Sequence, residues 1–563
     1  MHIRKHVFRF SIVFLFLIGC LVTFAVRLVL IQIFRSAYLT SLAQKQHNYF
    51  IDLEPRRGTI YDRNLRPLAL NVSVDSLYAK PRIMSPKSKQ SALDQLPSLL
   101  NINPDFLKDR LDRKKYFLWL ARKLSPELAD KIKALHITGL DFIKESKRYY
   151  PDQFLASHLI GFAGMDNQGL EGLELWYNKY LKGESGWTQI LRDARQRELS
   201  IEKNFVPPRD GFNVVLTIDE TIQYIAERAL QKAFEKNNAK GAIIIVMNPK
   251  TGEILALANR PTYDLSHLQS IPPENRINRA LVFTYEPGSV FKIVTASAAL
   301  EEKVAKEDDK FFCENGKYKV GNHILHDHHP SGTLTFTGVF EQSSNIGVTK
   351  IAQLLGPQKI YEYARRFRFG IPTGINLPGE ASGNLKPVKL WSKTSIGAVP
   401  IGQEVTVTAL QLICAIAAIA NDGVYMQPFV VKCIKDNQDE VIKEFQPQVV
   451  SQVITPETAK RVKAILKRVV ENGTGKRAMI DGVSVAGKTG TAQKVVNGTY
   501  SHNKYYATFY GFAPVEDPKI AVIVVVDEPH PDYYGGTVAA PVFQEVVRDS
   551  LKYMTALAAS SPK

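Results

Sequence analysis

The sequence predicts an α+β protein with an N-terminal transmembrane helix, an elongated strand-rich module and a C-terminal domain in which helices flank a central antiparallel sheet. Residues 11–26 are mostly apolar and carry no charge. Residues 241–261 hold two apolar, β-branched runs joined by Asn-Pro-Lys-Thr-Gly, and residues 505–529 repeat this pattern around a turn bounded by prolines. Such runs predict β-hairpins. Because apolar helical stretches lie between them, at residues 289–303 and 406–423, the pattern favours a sheet covered by helices.

Length and composition exclude several classes of protein. At roughly 150 residues per domain, 563 residues predict more than one domain. Apolar residues at 45% and charged residues at 23% are typical of a folded chain and not of a disordered one. The net charge of +17 is compatible with nucleic acid, anionic lipid or an acidic polymer as a partner. The four cysteines form no Cys-x-x-Cys pair, which argues against a disulfide scaffold and a thiolate zinc site.

The N-terminal segment indicates a membrane anchor. The apolar stretch at residues 7–33 is long enough to cross a bilayer, since a helix rises about 1.5 Å per residue. Basic residues at its N-terminal end, Arg4, Lys5 and Arg9, predict a cytoplasmic N-terminus and place the rest of the chain outside the cytoplasm. This topology removes nucleic acid as a partner. A cleaved signal peptide and a lipoprotein cleavage box ending at Cys20 remain alternatives.

The remaining signals divide the chain into segments. Residues 54–81 alternate apolar runs with turns, polar helices follow up to residue 145, and a strand near residue 214 precedes a helix at residues 220–237. The expected segments are a cytoplasmic tail at residues 1–6, a transmembrane anchor at 7–34, a non-catalytic pedestal module at 35–211, a C-terminal domain at 212–555 and a tail at 556–563.

Ser289 and Lys292 form the first motif with chemical meaning. Glu286-Pro287-Gly288 punctuates the chain just before them, so Ser289 is expected to open a helix. Residues three apart share a helix face, which lets the Lys292 amine approach the Ser289 hydroxyl. Apolar neighbours predict burial, and burial disfavours the ammonium form, so Lys292 could act as a base. Ser-x-x-Lys alone is common, so it assigns no function by itself.

Two further motifs follow in a fixed order. Ser343-Ser344-Asn345 comes next, and Lys488-Thr489-Gly490-Thr491 comes late in the chain, after an apolar run that predicts a strand. Gly490 would let a ligand approach the backbone. S-x-x-K, S-x-N and K-T-G in this order are the signature of penicillin-binding proteins and class A β-lactamases. The chain therefore resembles a class B penicillin-binding protein, a monofunctional peptidoglycan transpeptidase.

The resemblance extends over nearly the whole chain. Arg57–Asn64 is similar to the first box of the class B N-terminal module, which β-lactamases lack; Leu65 stands where the family usually has glycine, which puts the local turn in doubt. Later boxes of the module resemble Arg148–Pro151, His158–Phe162, Gly169–Glu174 and Arg192–Arg195. Within the class, the short pedestal is most similar to the cell-division branch, with the elongation branch as the nearest rival.

The resemblance implies a serine acyl-enzyme mechanism. Ser289 would attack the carbonyl between the two terminal D-alanines of a stem peptide, and Lys292 would take its proton. Ser343 would relay a proton to the leaving amine, Asn345 would bind the substrate amide, and Lys488 would supply positive potential. An amine from a neighbouring stem peptide would then complete the cross-link.

The resemblance also implies a substrate site along the Lys-Thr-Gly-Thr strand. Thr489 and Thr491 would hold the donor's terminal carboxylate beside Gly490, and the N–H groups of Ser289 and Thr491 would form the oxyanion hole. No metal or organic cofactor is implied. The expected partners are stem peptides, β-lactam antibiotics, the lipid bilayer, a polymerising glycosyltransferase and other division membrane proteins. The expected location is the bacterial inner membrane, with one pass and an extracytoplasmic catalytic domain.

Other interpretations remain open from sequence. An elongation-type enzyme, a β-lactamase or β-lactam sensor, and a division scaffold with vestigial catalysis would share much of the pattern. Locally, Tyr533–Thr537 could line the cleft rim or simply turn the chain, and Glu404 is expected to cap or orient the helix after it. A cluster of imidazoles and one carboxylate fits either a metal site or a solvated loop beside the substrate: His323, His326, Asp327, His328 and His329.

Overall fold

The computed structural model describes residues 2–40, 48–192, 198–268 and 271–560. Two compact units make up the chain, one formed by Met1–Arg56 with Gly183–Asp210 and the other by Arg57–Lys182 with Gly211–Lys563. The strands of both, in chain order, are β1 (Asn48–Leu53), β2 (Ile60–Tyr61), β3 (Pro67–Ala79), β4 (Leu118–Ala121), β5 (Leu140–Tyr149), β6 (Gly186–Arg192), β7 (Glu198–Val206), β8 (Asn213–Leu216), β9 (Gly241–Met247), β10 (Ile254–Arg260), β11 (Lys310–Phe312), β12 (Lys317–Val320), β13 (His323–His326), β14 (Thr333–Thr335), β15 (Asn384–Leu385), β16 (Val405–Thr406), β17 (Val424–Met426), β18 (Val431–Lys435), β19 (Val441–Glu444), β20 (Val449–Gln452), β21 (Ala486–Val496), β22 (Thr499–Ala513) and β23 (Ile520–Asp527).

Helices connect and cover these strands. The α-helices, in chain order, are α1 (His2–Val29), α2 (Pro86–Leu100), α3 (Pro104–Asp112), α4 (Pro126–Lys133), α5 (Ser157–Ile160), α6 (Gly172–Trp176), α7 (Asn178–Leu181), α8 (Glu220–Lys236), α9 (Arg279–Val282), α10 (Lys292–Glu301), α11 (Phe336–Glu341), α12 (Asn345–Leu355), α13 (Pro357–Arg366), α14 (Ser395–Ala398), α15 (Ala409–Ala420), α16 (Pro456–Glu471), α17 (Gly535–Val538) and α18 (Ala540–Ser560).

The first unit holds the apolar N-terminal helix and a small sheet. Helix α1 continues into a π-helical turn at Leu30–Phe34. Of the residues that the structure describes, His6–Phe34 form the one helix long and apolar enough to cross a membrane, which confirms the predicted apolar helix. Residues 36–40 form a short helical segment beyond it, and residues 41–47 lie outside the described residues. Strands β1, β6 and β7 form an antiparallel sheet in that order. The box at Arg192–Arg195 falls mostly outside the described residues.

The second unit is built around a five-stranded antiparallel sheet in the order β10-β9-β23-β22-β21. Both predicted hairpins are present in it, as β9–β10 and β22–β23. Side chains alternate between the two faces, since Ile243 and Ile245 pack into one core and Ile244 into another. Helices α8 and α18 lie on one face and α15 on the other. The predicted sheet flanked by helices is therefore confirmed.

A second sheet of the same unit joins strands from both sides of residue 212. Its order is β19-β18-β8-β2-β3-β4, and β5 also pairs with β3. Strand β8 pairs in parallel with β2, where Ile60 lies opposite Val214, and antiparallel with β18. Helix α8 follows directly and is capped by Asp219, whose side chain accepts hydrogen bonds from the Thr221 and Ile222 amides. Backbone pairing therefore links the pedestal strands to the catalytic region.

The turn at Leu65 keeps the conformation that a glycine would adopt. Leu65 has a φ of +63°, in the left-handed region that is costly for a residue with a Cβ. The Asp62 side chain accepts a hydrogen bond from the Asn64 amide at 2.7 Å and stabilises the turn. The departure from the family's glycine thus leaves the turn in place.

Three of the sequence boxes meet at one buried ion cluster. The Glu174 carboxylate bridges two guanidinium groups, with 2.6 Å to Arg57 Nε and 2.6 Å to Arg148 Nε. The side chains of Arg57 and Glu174 are 0% exposed and that of Arg148 is 3% exposed. Burial lowers the pKa of Arg57, and the charge of Glu174 opposes that effect. Two of the boxes thus supply buried guanidinium groups, and the third supplies the carboxylate that offsets part of their positive charge.

Replacing Glu174 with alanine is expected to destabilise the pedestal severely. The change leaves two guanidinium groups buried without their carboxylate, and loss of one partner from a buried ion pair costs about 3–5 kcal/mol. Asp109→Ala is the matched control, because Asp109 pairs with Arg113 at 2.7 Å on an exposed surface, where a pair contributes about 0–1 kcal/mol. Thermal unfolding of the detergent-solubilised chain measures both. Equal melting temperatures for the two variants would contradict the role of the cluster.

Candidate active site

Ser289 lies in a single 3₁₀ turn, Gly288–Phe291, that runs directly into helix α10. Its side chain is half-buried, whereas Val290 and Phe291 on either side are buried completely. Gly288 has a φ of +59°, and an added Cβ there would lie 3.1 Å from the Ala492 Cβ. A glycine is therefore needed for the turn to approach strand β21. The predicted helix opening at Ser289 is thus a tight 3₁₀ turn ahead of the α-helix.

Lys292 is buried completely and its amine contacts the second motif. Lys292 Nζ lies 2.7 Å from the Ser343 carbonyl oxygen, 2.8 Å from Asn345 Oδ1 and 3.2 Å from Ser343 Oγ. Burial lowers the pKa of Lys292 to about 7, while the negative charge of Asp327 opposes that shift. Within the described ranges, no hydrogen bond joins this amine to the Ser289 hydroxyl. Lys292 can therefore lose its proton near neutral pH, and it is oriented by the Ser-Ser-Asn turn.

The Ser343 hydroxyl lies between two buried lysines. Lys488 Nζ donates to Ser343 Oγ at 2.9 Å, and Lys292 Nζ lies 3.2 Å from the same oxygen. Burial lowers the pKa of Lys488 well below its ordinary value, and the positive charge of Lys292 lowers it further. Because two ammonium groups around one hydroxyl repel each other, the arrangement disfavours protonation of both amines at the same time. A hydroxyl held in this way can pass a proton from one amine to the other.

The structure brings Asn345 into the same cluster through the start of helix α12. Ser344 caps this helix by accepting a hydrogen bond from the Gly347 amide at 2.9 Å. The Asn345 side chain turns back, with Oδ1 toward Lys292 and Nδ2 donating to the His326 carbonyl at 2.9 Å. The hydrogen bonds of Oδ1 and Nδ2 thus define the orientation of the Asn345 side-chain amide.

Sequence reasoning missed Asp327 as part of this cluster. It interpreted the residue as part of either a metal site or a solvated loop beside the substrate, but the carboxylate accepts hydrogen bonds from Ser344 Oγ and from the Asn345 and Ile346 amides. No local pattern could reveal this contact, because helix α12 begins 18 residues away from Asp327. In the part of the chain that the structure describes, no three His, Cys, Asp or Glu side chains are grouped to hold a metal ion.

Strand β21 places the Lys-Thr-Gly-Thr residues on two faces. Lys488 points to Ser343, whereas the hydroxyl of Thr489 contacts that of Thr474 at 2.7 Å and Thr491 Oγ1 accepts a hydrogen bond from the Gly535 amide at 3.0 Å. Both threonines therefore lie toward the Thr474 and Gly535 segments and away from the two lysines. Strand β21 is also the edge strand of the five-stranded sheet, so its outer backbone edge faces away from β22.

Gly490 lets the 3₁₀ turn that carries Ser289 come close to β21. A Cβ added at this position would lie 3.0 Å from the Pro287 carbonyl oxygen and 3.0 Å from Val290 Cγ1. The segment that approaches the Gly490 backbone is therefore the chain's own, and the absence of a side chain fixes the spacing between Ser289 and the strand.

An aromatic group lies beside these motifs. Tyr534 OH is hydrogen-bonded to His328 Nε2, and the Tyr533 ring stacks on that of Tyr505 with centroids 4.2 Å apart. Because Gly535 donates to Thr491, Tyr533 and Tyr534 lie next to the end of the Lys-Thr-Gly-Thr motif. This position agrees with the rim interpretation of the tyrosine segment.

Glu404 does not cap the helix that follows it. Thr408 forms the N-cap of α15 in a capping box with Gln411, so the expected capping role of Glu404 is wrong. The Glu404 carboxylate instead accepts a hydrogen bond from Ser395 Oγ at 2.7 Å, and its amide donates to the Glu286 carboxylate at 2.9 Å. The residue therefore links the Ser395 segment to the Glu286 segment, which directly precedes the Ser289 turn.

The fold and this site together define the class of protein. Residues 242–548 match the penicillin binding protein transpeptidase domain, and residues 52–216 match the penicillin-binding protein dimerisation domain. The chain belongs to the penicillin-binding protein transpeptidase family, and its predicted resemblance to the class B, cell-division type is confirmed.

Named relatives cover nearly the whole chain. Stage V sporulation protein D of Bacillus subtilis is 38% identical over 98% of this chain and 87% of its own length. Peptidoglycan D,D-transpeptidase FtsI of Escherichia coli is 34% identical over 88% of this chain and 84% of its own. Penicillin binding protein 3 of Mycobacterium tuberculosis complexed with ampicillin has a TM-score of 0.71 at 29% identity, covering 90% of this chain and 96% of that one.

Proposed function

We propose that this protein is a membrane-anchored peptidoglycan D,D-transpeptidase that cross-links stem peptides through an acyl-enzyme on Ser289. The observation that carries the proposal is the buried cluster in which Lys292, Ser343, Asn345 and Lys488 are hydrogen-bonded to one another beside the half-buried Ser289. A neutral lysine, a bridging hydroxyl and a second amine are the groups that acyl transfer from a serine requires. Relatives named peptidoglycan D,D-transpeptidase support the substrate class.

The first half-reaction makes the acyl-enzyme. Ser289 Oγ attacks the carbonyl carbon of the penultimate D-alanine, and its proton passes to the neutral Lys292 amine. Collapse of the tetrahedral intermediate breaks the amide C–N bond, and the proton reaches the leaving amine through the Ser343 hydroxyl, which lies 3.2 Å from Lys292. D-Alanine leaves, and Lys292 is neutral again. In the second half-reaction an acceptor amine attacks the ester carbonyl carbon and gives its proton to Lys292. The ester C–O bond then breaks, and Lys292 returns the proton to the Ser289 oxygen, so that the hydroxyl and the neutral amine are restored.

The substrate is held along β21 in this proposal. The N–H groups of Ser289 and Thr491 stabilise the oxyanion, and Gly490 keeps those two backbone segments close to each other. Thr489 and Thr491 bind the donor's terminal carboxylate with the help of positive potential from Lys488. Since Thr491 already accepts a hydrogen bond from the Gly535 amide, its hydroxyl proton is free to point at a carboxylate.

Labelling with a fluorescent penicillin and intact-mass measurement test the activity. The purified full-length chain is expected to gain the mass of one ring-opened β-lactam and to release D-alanine from a stem pentapeptide. The lifetime of the adduct separates this function from a β-lactamase, for which the adduct would decay within seconds. Absence of both the adduct and D-alanine release would instead favour a scaffold with vestigial catalysis.

The proposal also covers the process in which the enzyme acts: cell division, elongation or sporulation. Relatives named FtsI support a role in division, whereas the name of the Bacillus subtilis relative places that protein in sporulation. Division enzymes act with other membrane proteins, so we expect a polymerising glycosyltransferase among the partners. Depletion in the host is expected to give filaments with blocked septa. Rounded cells that continue to divide would assign the protein to elongation, and a defect confined to spores would assign it to sporulation.

The topology follows the charge pattern of the anchor. Basic residues before His6–Phe34 favour a cytoplasmic N-terminus, which leaves the catalytic domain outside the inner membrane. Protease added to spheroplasts is expected to remove the large C-terminal part. Complete protection of the chain would reverse this orientation.

A further inference from the structure

The loop after strand β13 contacts the catalytic turn at several points. The Asp327 carboxylate accepts hydrogen bonds from Ser344 Oγ at 2.5 Å, from the Asn345 amide at 2.5 Å and from the Ile346 amide at 3.0 Å. The preceding residue, His326, accepts the Asn345 side-chain N–H. One loop therefore binds both the backbone and the side chain of Asn345.

These contacts determine which atom of the Asn345 side chain faces the Lys292 amine. The Asn345 amide group can present either its oxygen or its nitrogen to the lysine, and donation of Nδ2 to the His326 carbonyl leaves Oδ1 for Lys292. The Asp327 carboxylate holds the first turn of α12 from outside, so Ser343, with its φ of +57°, stays in the strained conformation that points its hydroxyl between the two lysines.

The loop is itself fixed to the rest of the domain. The Asp327 amide donates to the Gly316 carbonyl at 3.2 Å, and the neighbouring His328 ring contacts Tyr534, which directly precedes Gly535. A chain of contacts thus runs from Gly535 and Thr491 through this loop to Asn345.

We propose that Asp327 is a positioning residue of this active site, which holds the Ser343–Asn345 turn so that the Asn345 oxygen and the Ser343 hydroxyl face Lys292. The inference rests on the proposed acyl transfer at Ser289. Besides its geometric effect, the carboxylate supplies negative charge near the buried lysines, which a residue that only capped the helix would not need to do.

The test measures the second-order rate of acylation by a fluorescent penicillin from pH 5.5 to 9. Asp327→Asn is expected to lower the plateau rate about 10²-fold, because a small misplacement of catalytic groups has an effect of that size. The rate falls on the acidic side of its pH profile, and this acidic limb is expected to move to lower pH in Asp327→Asn. The reason is that the lost negative charge no longer favours protonated Lys292. Asp327→Glu keeps the charge, so its plateau should fall while its limb stays at the wild-type pH.

Control variants separate the loop's other groups. The charged groups near Lys292 are Asp327 of the loop and Lys488 of β21, and the loop also carries His326, His328 and His329. His328→Gln is expected to leave the limb in place, and Asp308→Asn, a charge loss at an exposed position of the same domain, should change nothing.

Two results would overturn the inference. A wild-type plateau rate in Asp327→Asn would show that the Ser343–Asn345 turn keeps its conformation without the carboxylate. A lower plateau rate with an unmoved acidic limb would show that Asp327 acts only as a helix cap. If Asp327→Asn does not fold, a shifted limb in Asp327→Glu is the overturning result. Failure of the wild-type protein to label would refute the proposed function instead, and so the two failures are distinguishable.

Discussion

Ser289→Ala is expected to form no covalent adduct with a β-lactam and to release no D-alanine from a stem pentapeptide. The change removes the one oxygen that can become the ester, while the remaining groups of the cluster keep their hydrogen bonds with one another. Because Ser289 is half-buried and the alanine is smaller, the 3₁₀ turn should be retained. Intact-mass measurement after incubation with penicillin checks the adduct, and thermal unfolding checks the fold.

Ser382→Ala serves as the control for that experiment. Ser382 is exposed in a loop of the same domain, and its hydroxyl contacts only the neighbouring Gly383 carbonyl in the described structure. Labelling of this variant should match the wild type. An adduct of unchanged mass and rate on the folded Ser289→Ala variant would place the nucleophile elsewhere.

Lys292→Arg is expected to lose acylation by about 10³-fold or more. A guanidinium remains protonated throughout the accessible pH range, so it cannot accept the serine proton, and general-base catalysis contributes roughly 10²–10⁴-fold. In the wild type, where burial lowers the pKa of Lys292 to about 7, the base is present above that pH and lost below it. The acylation rate should therefore fall as pH decreases through 7.

Lys306→Arg provides the corresponding control, because Lys306 is an exposed lysine just beyond helix α10. Stopped-flow labelling between pH 5.5 and 9 compares the two variants. A wild-type rate in Lys292→Arg, or an acidic limb far from pH 7 in the wild type, would mean that another group deprotonates Ser289.

The sequence allowed the local parts of the fold to be predicted. Each of the two hairpins predicted for the main sheet is encoded within about 25 consecutive residues, by two apolar runs and a turn. The parallel pairing of β2 with β8 could not be predicted in the same way, because Ile60 and Val214 are far apart in the chain and both strands are short. Long-range pairing depends on the packing of the whole domain, which no local pattern records.

For the site, motif spacing identified the residues but not their contacts. The expectation that Lys292 shares a helix face with Ser289 came from helix periodicity, whereas the lysine amine contacts Ser343 and Asn345, which are remote in sequence. The contact of Asp327 with the start of helix α12 could not be predicted for the same reason. The expected cap at Glu404 failed because Thr408 and Gln411 complete a capping box closer to the helix, a signal that the sequence does contain.

The pairing of β8 between β2 and β18 has a practical consequence for anyone who wishes to work with a soluble catalytic fragment. Cutting the chain at residue 212 would remove β2 and leave one side of β8 with unpaired backbone groups. Exposed strand edges of this kind invite self-association. A fragment that retains the segment around Ile60–Tyr61 together with the rest of its module would keep that edge covered and should stay monodisperse where the shorter one precipitates.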